Sequence, residues 1–232
     1  MGDRWPVVEL RQYTLHPGQR DVLIELFDRA LLEPQEAVGM QVLGQFRDLD
    51  RPDRFVWLRA FPDMESRRAS LEAFYGGPVW RTHRAAANAT MIDSDDVLLL
   101  RPATPTSGFG VVPPRPGVAD RIAAGTFVVT ISSLDAPVEV GELEEKLLPG
   151  LAATTAPVLA ILIEEPSENT FPALPVRTGG HVVVWVQRTS VDVESQQAAM
   201  HASTELAKTG LPHLVADPLQ LRLEPTSRSR LR

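Results

Sequence analysis

The hydrophobic and polar residues of the first hundred positions follow the periods of strands and helices. Residues 7–15, VVELRQYTL, alternate between apolar and polar types, which predicts a strand. Apolar residues then recur every three or four positions, which predicts a helix that Pro34 should end. The predicted strands are 7–15, 40–47, 54–61 and 97–101, and the predicted helices are 23–31, 64–75 with Asp63 as N-cap, and a segment from Pro78. This β-α-β-β-α-β order is typical of a ferredoxin-like unit.

The second half of the chain repeats the same order more weakly. Its predicted strands are 125–132, 157–164, 181–188 and 218–223, and its predicted helices are 138–148 and 192–208. Short echoes, FVWL at 55–58 and VVWV at 183–186, indicate a duplication. Residues 165–180 form a long loop with three prolines, and loops of that length are often functional or mobile.

The two halves meet in a segment that is poor in regular structure. Residues 102–118 contain five prolines and three glycines, which cannot sustain a helix or a central strand. The chain is therefore predicted to be of the α+β class, with two tandem ferredoxin-like domains at 1–102 and 119–232 joined by a linker at 103–118.

Side-chain alternation divides the strand residues into two faces. One face of the first strand carries Glu9, Arg11 and Tyr13, and the matching face of the third strand carries Phe55, Trp57, Arg59 and Phe61. We expect this mixed set on the side where the two sheets pack, lining a cavity, and the aliphatic Val56, Leu58 and Ala60 under the helices. The equivalent face of the second half carries His181, Val183, Trp185 and Gln187.

The candidate site residues are drawn mainly from that face. Arg11 and Arg59 could bind an anionic group, with Tyr13 or His83 moving protons and Arg59 counted among the catalytic candidates. The residues expected to bind ligand are Glu9, Arg11, Trp57, Trp80, His181 and Trp185. Each has a structural alternative: Glu9 and Arg11 as an ion pair, the tryptophans as barrel core, and His83 as a half-exposed helix residue. An Arg59→Ala variant separates the two interpretations by its effects on binding and on stability.

Composition excludes several classes of protein. The 232 residues carry 23 basic and 30 acidic side chains, a formal charge of −7, so nucleic acid is not an expected partner. The absence of cysteine excludes disulfides and thiolate chemistry. No stretch is apolar enough to span a membrane and no secretory leader is evident, so a cytoplasmic protein is expected.

The five histidines have no metal-ligand spacing, and nucleotide-binding glycine motifs and a serine nucleophile motif are absent. We therefore predict no metal and no cofactor. Haem is the weaker exclusion, because a single histidine such as His181 could be its axial ligand.

Five motifs follow one another through the first half: ELRQYTLHPG at 9–18, FVWLRAF at 55–61, FYGGPVW at 74–80, RAAAN at 84–88 and LLLRP at 98–102. Over about residues 6–102, the order and spacing of these motifs resemble the NIPSNAP family. The second half lacks the opening motif and resembles a degenerate second copy. The resemblance implies a dimeric α/β-barrel fold, in which two ferredoxin-like sheets face each other. A fused pair could close the barrel within one chain, or each half could pair with another chain in a homodimer.

The resemblance leaves two functions open. The superfamily includes cofactor-independent monooxygenases, haem-handling enzymes and binding modules. One hypothesis is a barrel that binds a small aromatic or polyketide-like anion, with oxygenation, isomerisation or lyase chemistry. The alternative is a non-enzymatic binding or assembly module with a dry barrel core. A wet pocket with converging arginine and tyrosine favours the first, and a sealed lumen favours the second.

Overall fold

The computed structural model describes residues 4–117, 120 and 125–232. Residues 118 and 119, where the predicted linker ends and the predicted second domain begins, lie outside the described residues. The domain boundaries stay a prediction.

The elements of the first half agree closely with the hydrophobic pattern. Its strands are β1 (Val7–Leu15), β2 (Gln41–Asp48), β3 (Arg54–Phe61), β4 (Met91–Asp93) and β5 (Val97–Pro102). Its helices are α1 (Arg20–Leu26), α2 (Leu32–Ala37), α3 (Met64–Tyr75) and α4 (Pro78–Asn88), with a π-helical turn at Phe27–Leu31. The Asp63 carboxylate accepts a hydrogen bond from the Ser66 amide at 2.6 Å, which confirms the predicted N-cap.

The second half has the strands β6 (Thr126–Leu134), β7 (Val158–Glu164), β8 (His181–Thr189) and β9 (Leu219–Pro225). Its helices are α5 (Val140–Glu142), α6 (Leu148–Ala152) and α7 (Val193–Gly210), with a second π-helical turn at Leu143–Leu147. Both halves therefore place a π-helical turn in the helical segment that follows their first strand.

The expectation that Pro34 ends the first helix is wrong. The chain stays helical to Ala37, because the π-helical turn interrupts the regular hydrogen bonding and Pro34 falls in the first turn of a new helix, α2. Proline is tolerated there, since a first-turn amide has no partner within the helix. Pro149 occupies the same kind of position after the second π-helical turn.

Eight antiparallel strands close into one barrel within the chain. The first half has the strand order β5-β1-β3-β2, and the second half has the equivalent order β9-β6-β8-β7. The pairings β2–β9 and β5–β7 join the halves at both edges. In the described part of the chain, the short strand β4 pairs only with the end of β1. Of the alternatives for barrel closure, the structure shows closure within one chain.

The predicted assignment of the strand faces is wrong. The barrel interior is filled by aliphatic and phenylalanine side chains from all eight strands, among them Val8, Leu10, Val56, Leu58 and Ala60. The opposite face, with Glu9, Arg11, Tyr13, Trp57 and Arg59, packs under the helices of the first half. The long polar side chains on that face have hydrogen-bonding partners on the helices, namely Arg67, Gln35 and Tyr75.

The linker and the C-terminal segment pack against the barrel. Phe109 and Val112 of the linker and the buried Leu231 contact the core formed by the strands. Arg115 binds the Glu36 carboxylate at 2.6 Å and donates to the carbonyl oxygens of Val42 and Arg228. The lumen is therefore packed with side chains.

Candidate functional site

Four charged side chains meet beneath the helices of the first half. The Oε2 atom of Glu9 accepts hydrogen bonds from Arg11 Nη1 at 2.7 Å and Arg59 Nε at 2.8 Å. The Oε1 atom accepts from Arg67 Nε at 2.7 Å. All four side chains are at least 99% buried. We call Glu9, Arg11, Arg59 and Arg67 the arginine cluster.

Strand register and helix periodicity bring the cluster together. Glu9 is directly opposite Arg59 in the β1–β3 ladder, and Arg11 is two residues from Glu9 on the same face. Arg67 comes from α3, where it shares the buried face with Leu71 and Phe74. Sequence reasoning missed Arg67, although its spacing of four and seven residues from two buried apolar residues marks it as facing the sheet.

The cluster has more positive than negative charge. Three guanidiniums face one carboxylate, and among the described residues Glu9 is the only carboxylate within ion-pair distance of any of them. Arg67 Nη2 and the Trp57 indole nitrogen are buried donors without a hydrogen-bonding partner in the described chain. Buried charges and donors without partners are energetically costly, so this site is suited to an added anion or acceptor.

The electrostatics of the cluster hold Glu9 in its charged form. Burial alone would raise the pKa of Glu9, but Arg59, Arg11 and Arg67 outweigh it and place the pKa well below its ordinary value of 4.5. Burial lowers the pKa of Arg67, an effect that exceeds the attraction of Glu9. A guanidinium nevertheless stays protonated near neutral pH.

The pH dependence of the free energy of unfolding should reflect the ionisation of Glu9. Because its pKa is lower in the folded than in the unfolded chain, its contribution is complete above about pH 4.5 and is lost as the pH falls further. The difference in free energy of unfolding between the wild type and Glu9→Gln should therefore shrink from about pH 7 to about pH 3. Urea denaturation at the two pH values measures it. A difference that stays constant would contradict a charged Glu9.

Aromatic side chains enclose the arginine cluster. The guanidiniums of Arg11 and Arg59 lie 5.6 and 5.1 Å from the centre of the Trp57 ring. Arg11 Nε donates to the Tyr13 hydroxyl at 3.0 Å, and Arg59 Nη1 donates to the Tyr75 hydroxyl at 3.4 Å. The site thus combines cations with apolar walls.

The π-helical turn of the first half positions another hydrogen-bonding partner of Arg59, the side chain of Gln35. The Gln35 side chain donates through Nε2 to the Leu31 carbonyl, at the end of that turn, at 3.1 Å. Its Oε1 is thereby directed to Arg59 Nη1 at 3.3 Å. The irregular helix contributes directly to the site geometry.

Tyr13 is suited to donating a proton or a hydrogen bond. Burial raises the pKa of its phenol above the ordinary value of 10, against the opposing effect of Arg11. The phenol therefore stays protonated at neutral pH. Because its oxygen already accepts from Arg11, its hydrogen is available to an acceptor in the site.

The other predicted site residues have different surroundings. Trp80 contacts the Tyr75 ring at 4.9 Å and belongs to the aromatic wall. His83 is half-buried on α4, and no hydrogen bond or ion pair joins it to the arginine cluster in the described part of the chain. His181 pairs with Glu164 at 2.6 Å in the second half.

Trp185 belongs to a neutral network under α7. Its Nε1 donates to Ser203 Oγ at 3.1 Å, and Ser203 donates to Gln187 at 2.7 Å. The β6–β8 ladder can be aligned with the β1–β3 ladder by matching Trp185 to Trp57. In this alignment Gln187 corresponds to Arg59, and Thr130 corresponds to Arg11. Among its described residues, the second half thus has no equivalent of the charged cluster.

A groove of about 530 Å³ lies beside the arginine cluster. It is lined by Val7, which is two residues from Glu9 on the same face of β1, and by Met64, one helical turn before Arg67. Ser167, from the long loop of the second half, forms part of its wall. A second cavity of about 380 Å³ lies between the linker and the α6–β7 region. None of the predicted site residues lines the groove or this cavity.

The described residues contain neither a cluster of metal ligands nor a membrane-spanning helix. No group of three or more histidine, aspartate or glutamate side chains could hold a metal ion there. No described helix has the length and apolar character needed to cross a membrane.

The first half matches a known family. Residues 8–107 match the family model named NIPSNAP. The chain therefore carries a NIPSNAP domain in its first half, and the resemblance seen in its motifs is confirmed. No curated protein sequence matches the chain.

Two solved structures share the fold over 95% of the chain. A "putative monooxygenase" from Lactobacillus acidophilus is 10% identical, with a TM-score of 0.55, covering 95% of this chain and 94% of that one. Another from Fusobacterium nucleatum is 8% identical, also with a TM-score of 0.55, covering 95% and 92%. A NIPSNAP-like domain protein from Burkholderia xenovorans is 22% identical and covers 50% of this chain and 99% of that one, with a TM-score of 0.40. At these identities the first two matches establish the fold alone.

Proposed function

We propose that the first half binds a small aromatic anion beneath its helices, at the arginine cluster. The observation that carries this proposal is the charge imbalance: three buried guanidiniums share one carboxylate. An anionic group on a ligand would offset the excess and accept from Arg67 Nη2. The rings of Tyr13, Trp57, Tyr75 and Trp80 are the apolar walls that favour an aromatic or polyketide-like body.

This proposal places the ligand-binding site at the arginine cluster beneath the helices, and not in the barrel lumen where the sequence analysis expected it. Aliphatic and phenylalanine side chains fill the lumen, and the buried Gln12 on the lumen-facing side of β1 already hydrogen-bonds to Asp96 and Arg54. A packed lumen is what the alternative function, a non-enzymatic binding or assembly module, requires. Binding without chemistry is therefore the second candidate for the chain.

An enzymatic role stays a prediction that centres on Tyr13. Its protonated phenol could stabilise an oxyanion or donate a proton to a bound substrate. Cofactor-independent oxygenation, isomerisation or lyase action are the reactions that such a site would serve.

The organisation of the chain is part of the proposal. The equivalent strand orders of the two halves support tandem ferredoxin-like domains, of which the second has lost the charged site. A homodimer and a cytoplasmic location also stay predictions. The barrel needs no second chain to close its sheet, so a dimer would form through other surfaces.

Salicylate, a small aromatic carboxylate, tests the proposal. We expect it to raise the melting temperature in a concentration-dependent way, since a ligand that binds only the folded state stabilises it. Salicylamide, which has the same ring without the negative charge, is the matched control and should have a much smaller effect. Equal shifts with both compounds, or none with salicylate, would refute an aromatic anion site.

A further inference from the structure

The long loop of the second half lies over the arginine cluster of the first half. Its two ends hydrogen-bond to β5, through the Glu165 amide to the Leu99 carbonyl at 2.9 Å and the Arg177 amide to the Val97 carbonyl at 2.8 Å. Between these anchors, Phe171 stacks on Tyr75 with ring centres 5.9 Å apart. Leu174 and Val176 also pack against the helix-side core of the first half.

Two neutral oxygen atoms of this loop bind the cluster directly. Arg67 Nη1 donates to Asn169 Oδ1 at 3.0 Å and to Thr170 Oγ1 at 3.2 Å. These are the contacts that a carboxylate or phosphate group would make with a guanidinium. The loop therefore gives Arg67 two acceptors without supplying the negative charge that the cluster lacks.

We propose that Asn169 and Thr170 determine which ligands the site accepts, by occupying Arg67 until an anionic group displaces them. This inference rests on the proposed function. A carboxylate forms stronger hydrogen bonds with a guanidinium than an amide or hydroxyl oxygen does, so an anion displaces the loop and a neutral molecule does not. The residues that select anionic over neutral ligands thus belong to the second half of the chain, although the arginine cluster belongs to the first half.

The position of the groove agrees with displacement of the loop. Ser167 and Met64 both line the groove, and Ser167 is two residues before Asn169. The Thr170 hydroxyl donates to the Met64 carbonyl at 3.2 Å and accepts from Arg67, so Thr170 contacts both a groove residue and the cluster. Movement of residues 169 and 170 would therefore connect the groove with the cluster.

Two substitutions at residue 169 should change binding in opposite directions. Asn169→Ala removes one of the competing acceptors, and we expect it to tighten salicylate binding and speed association by at least about threefold. Asn169→Asp places a carboxylate beside Arg67, and we expect it to weaken salicylate binding by at least about tenfold. Thr178→Asp adds the same charge at an exposed position of the same loop and is the matched control.

Calorimetry and stopped-flow mixing on the full-length variants distinguish the outcomes. Opposite effects at residue 169, with Thr178→Asp close to the wild type, support the inference. If the wild type binds salicylate and both variants at residue 169 bind it equally well, the inference is overturned while the proposed function stands. If the wild type does not bind it, the proposed function fails and the inference with it.

Discussion

Replacing Glu9 with glutamine is expected to lower the free energy of unfolding by about 3–5 kcal/mol. Glutamine has nearly the same shape, so the change removes charge and leaves the volume of the site intact. Three buried guanidiniums would then lie together without the only carboxylate that they share. Leaving a buried charge without its partner is among the most destabilising single changes in a protein.

Denaturation in urea at neutral pH measures this effect. Glu65→Gln is the matched control, because Glu65 pairs with Arg68 on the exposed side of α3. It should change the free energy of unfolding by no more than about 0.5 kcal/mol. If Glu9→Gln were as mild as the control, the cluster would not depend on Glu9 and the charge argument would fail.

Replacing Arg59 with methionine is expected to weaken salicylate binding strongly while changing the stability of the fold only slightly. Glu9 keeps Arg11 and Arg67 as partners, and the excess positive charge of the cluster falls. Methionine also fills much of the space that alanine would leave empty. We therefore expect stability to change by at most about 1 kcal/mol, while salicylate affinity falls at least about tenfold, or about 1.4 kcal/mol.

Thermal denaturation and calorimetric titration of the same samples measure the two quantities. Arg68→Met, on the exposed side of α3, removes an arginine one residue from the cluster and should leave salicylate binding unchanged. A loss of about 3–5 kcal/mol of stability in Arg59→Met would show that the arginine is structural. Unchanged binding would remove Arg59 from the site.

Local patterns predicted most strands and helices because those signals lie within a few residues. The alternation in β1 and β3 and the N-cap at Asp63 are of this kind. The strand β4 was missed, since it has three residues and pairs only at an irregular edge. The π-helical turn that precedes Pro34 was also missed, because the spacing of the apolar residues does not distinguish it from a regular α-helix.

The candidate site was predicted in part, because strand register is local and face assignment is not. Alternation correctly grouped Glu9 and Arg11, and the strand order placed Arg59 beside them. Alternation cannot show which face the helices cover, so the lumen assignment was wrong. Arg67, Asn169 and Thr170 were missed because they reach the cluster from distant parts of the sequence, the last two from the other half of the chain.

The central claim is that the arginine cluster binds an anion, and the guanidinium Nε–H signals test it most directly. In the folded protein these groups of Arg59 and Arg67 are buried and hydrogen-bonded to Glu9, so their exchange with water should be slow enough for ¹⁵N-edited NMR. Variants such as Arg59→Met assign the signals. On titration with salicylate, the signals of Arg59 and Arg67 should shift together and saturate, with Arg68 unchanged. Shifts confined to exposed arginines such as Arg68, with the cluster signals unmoved, would contradict the account.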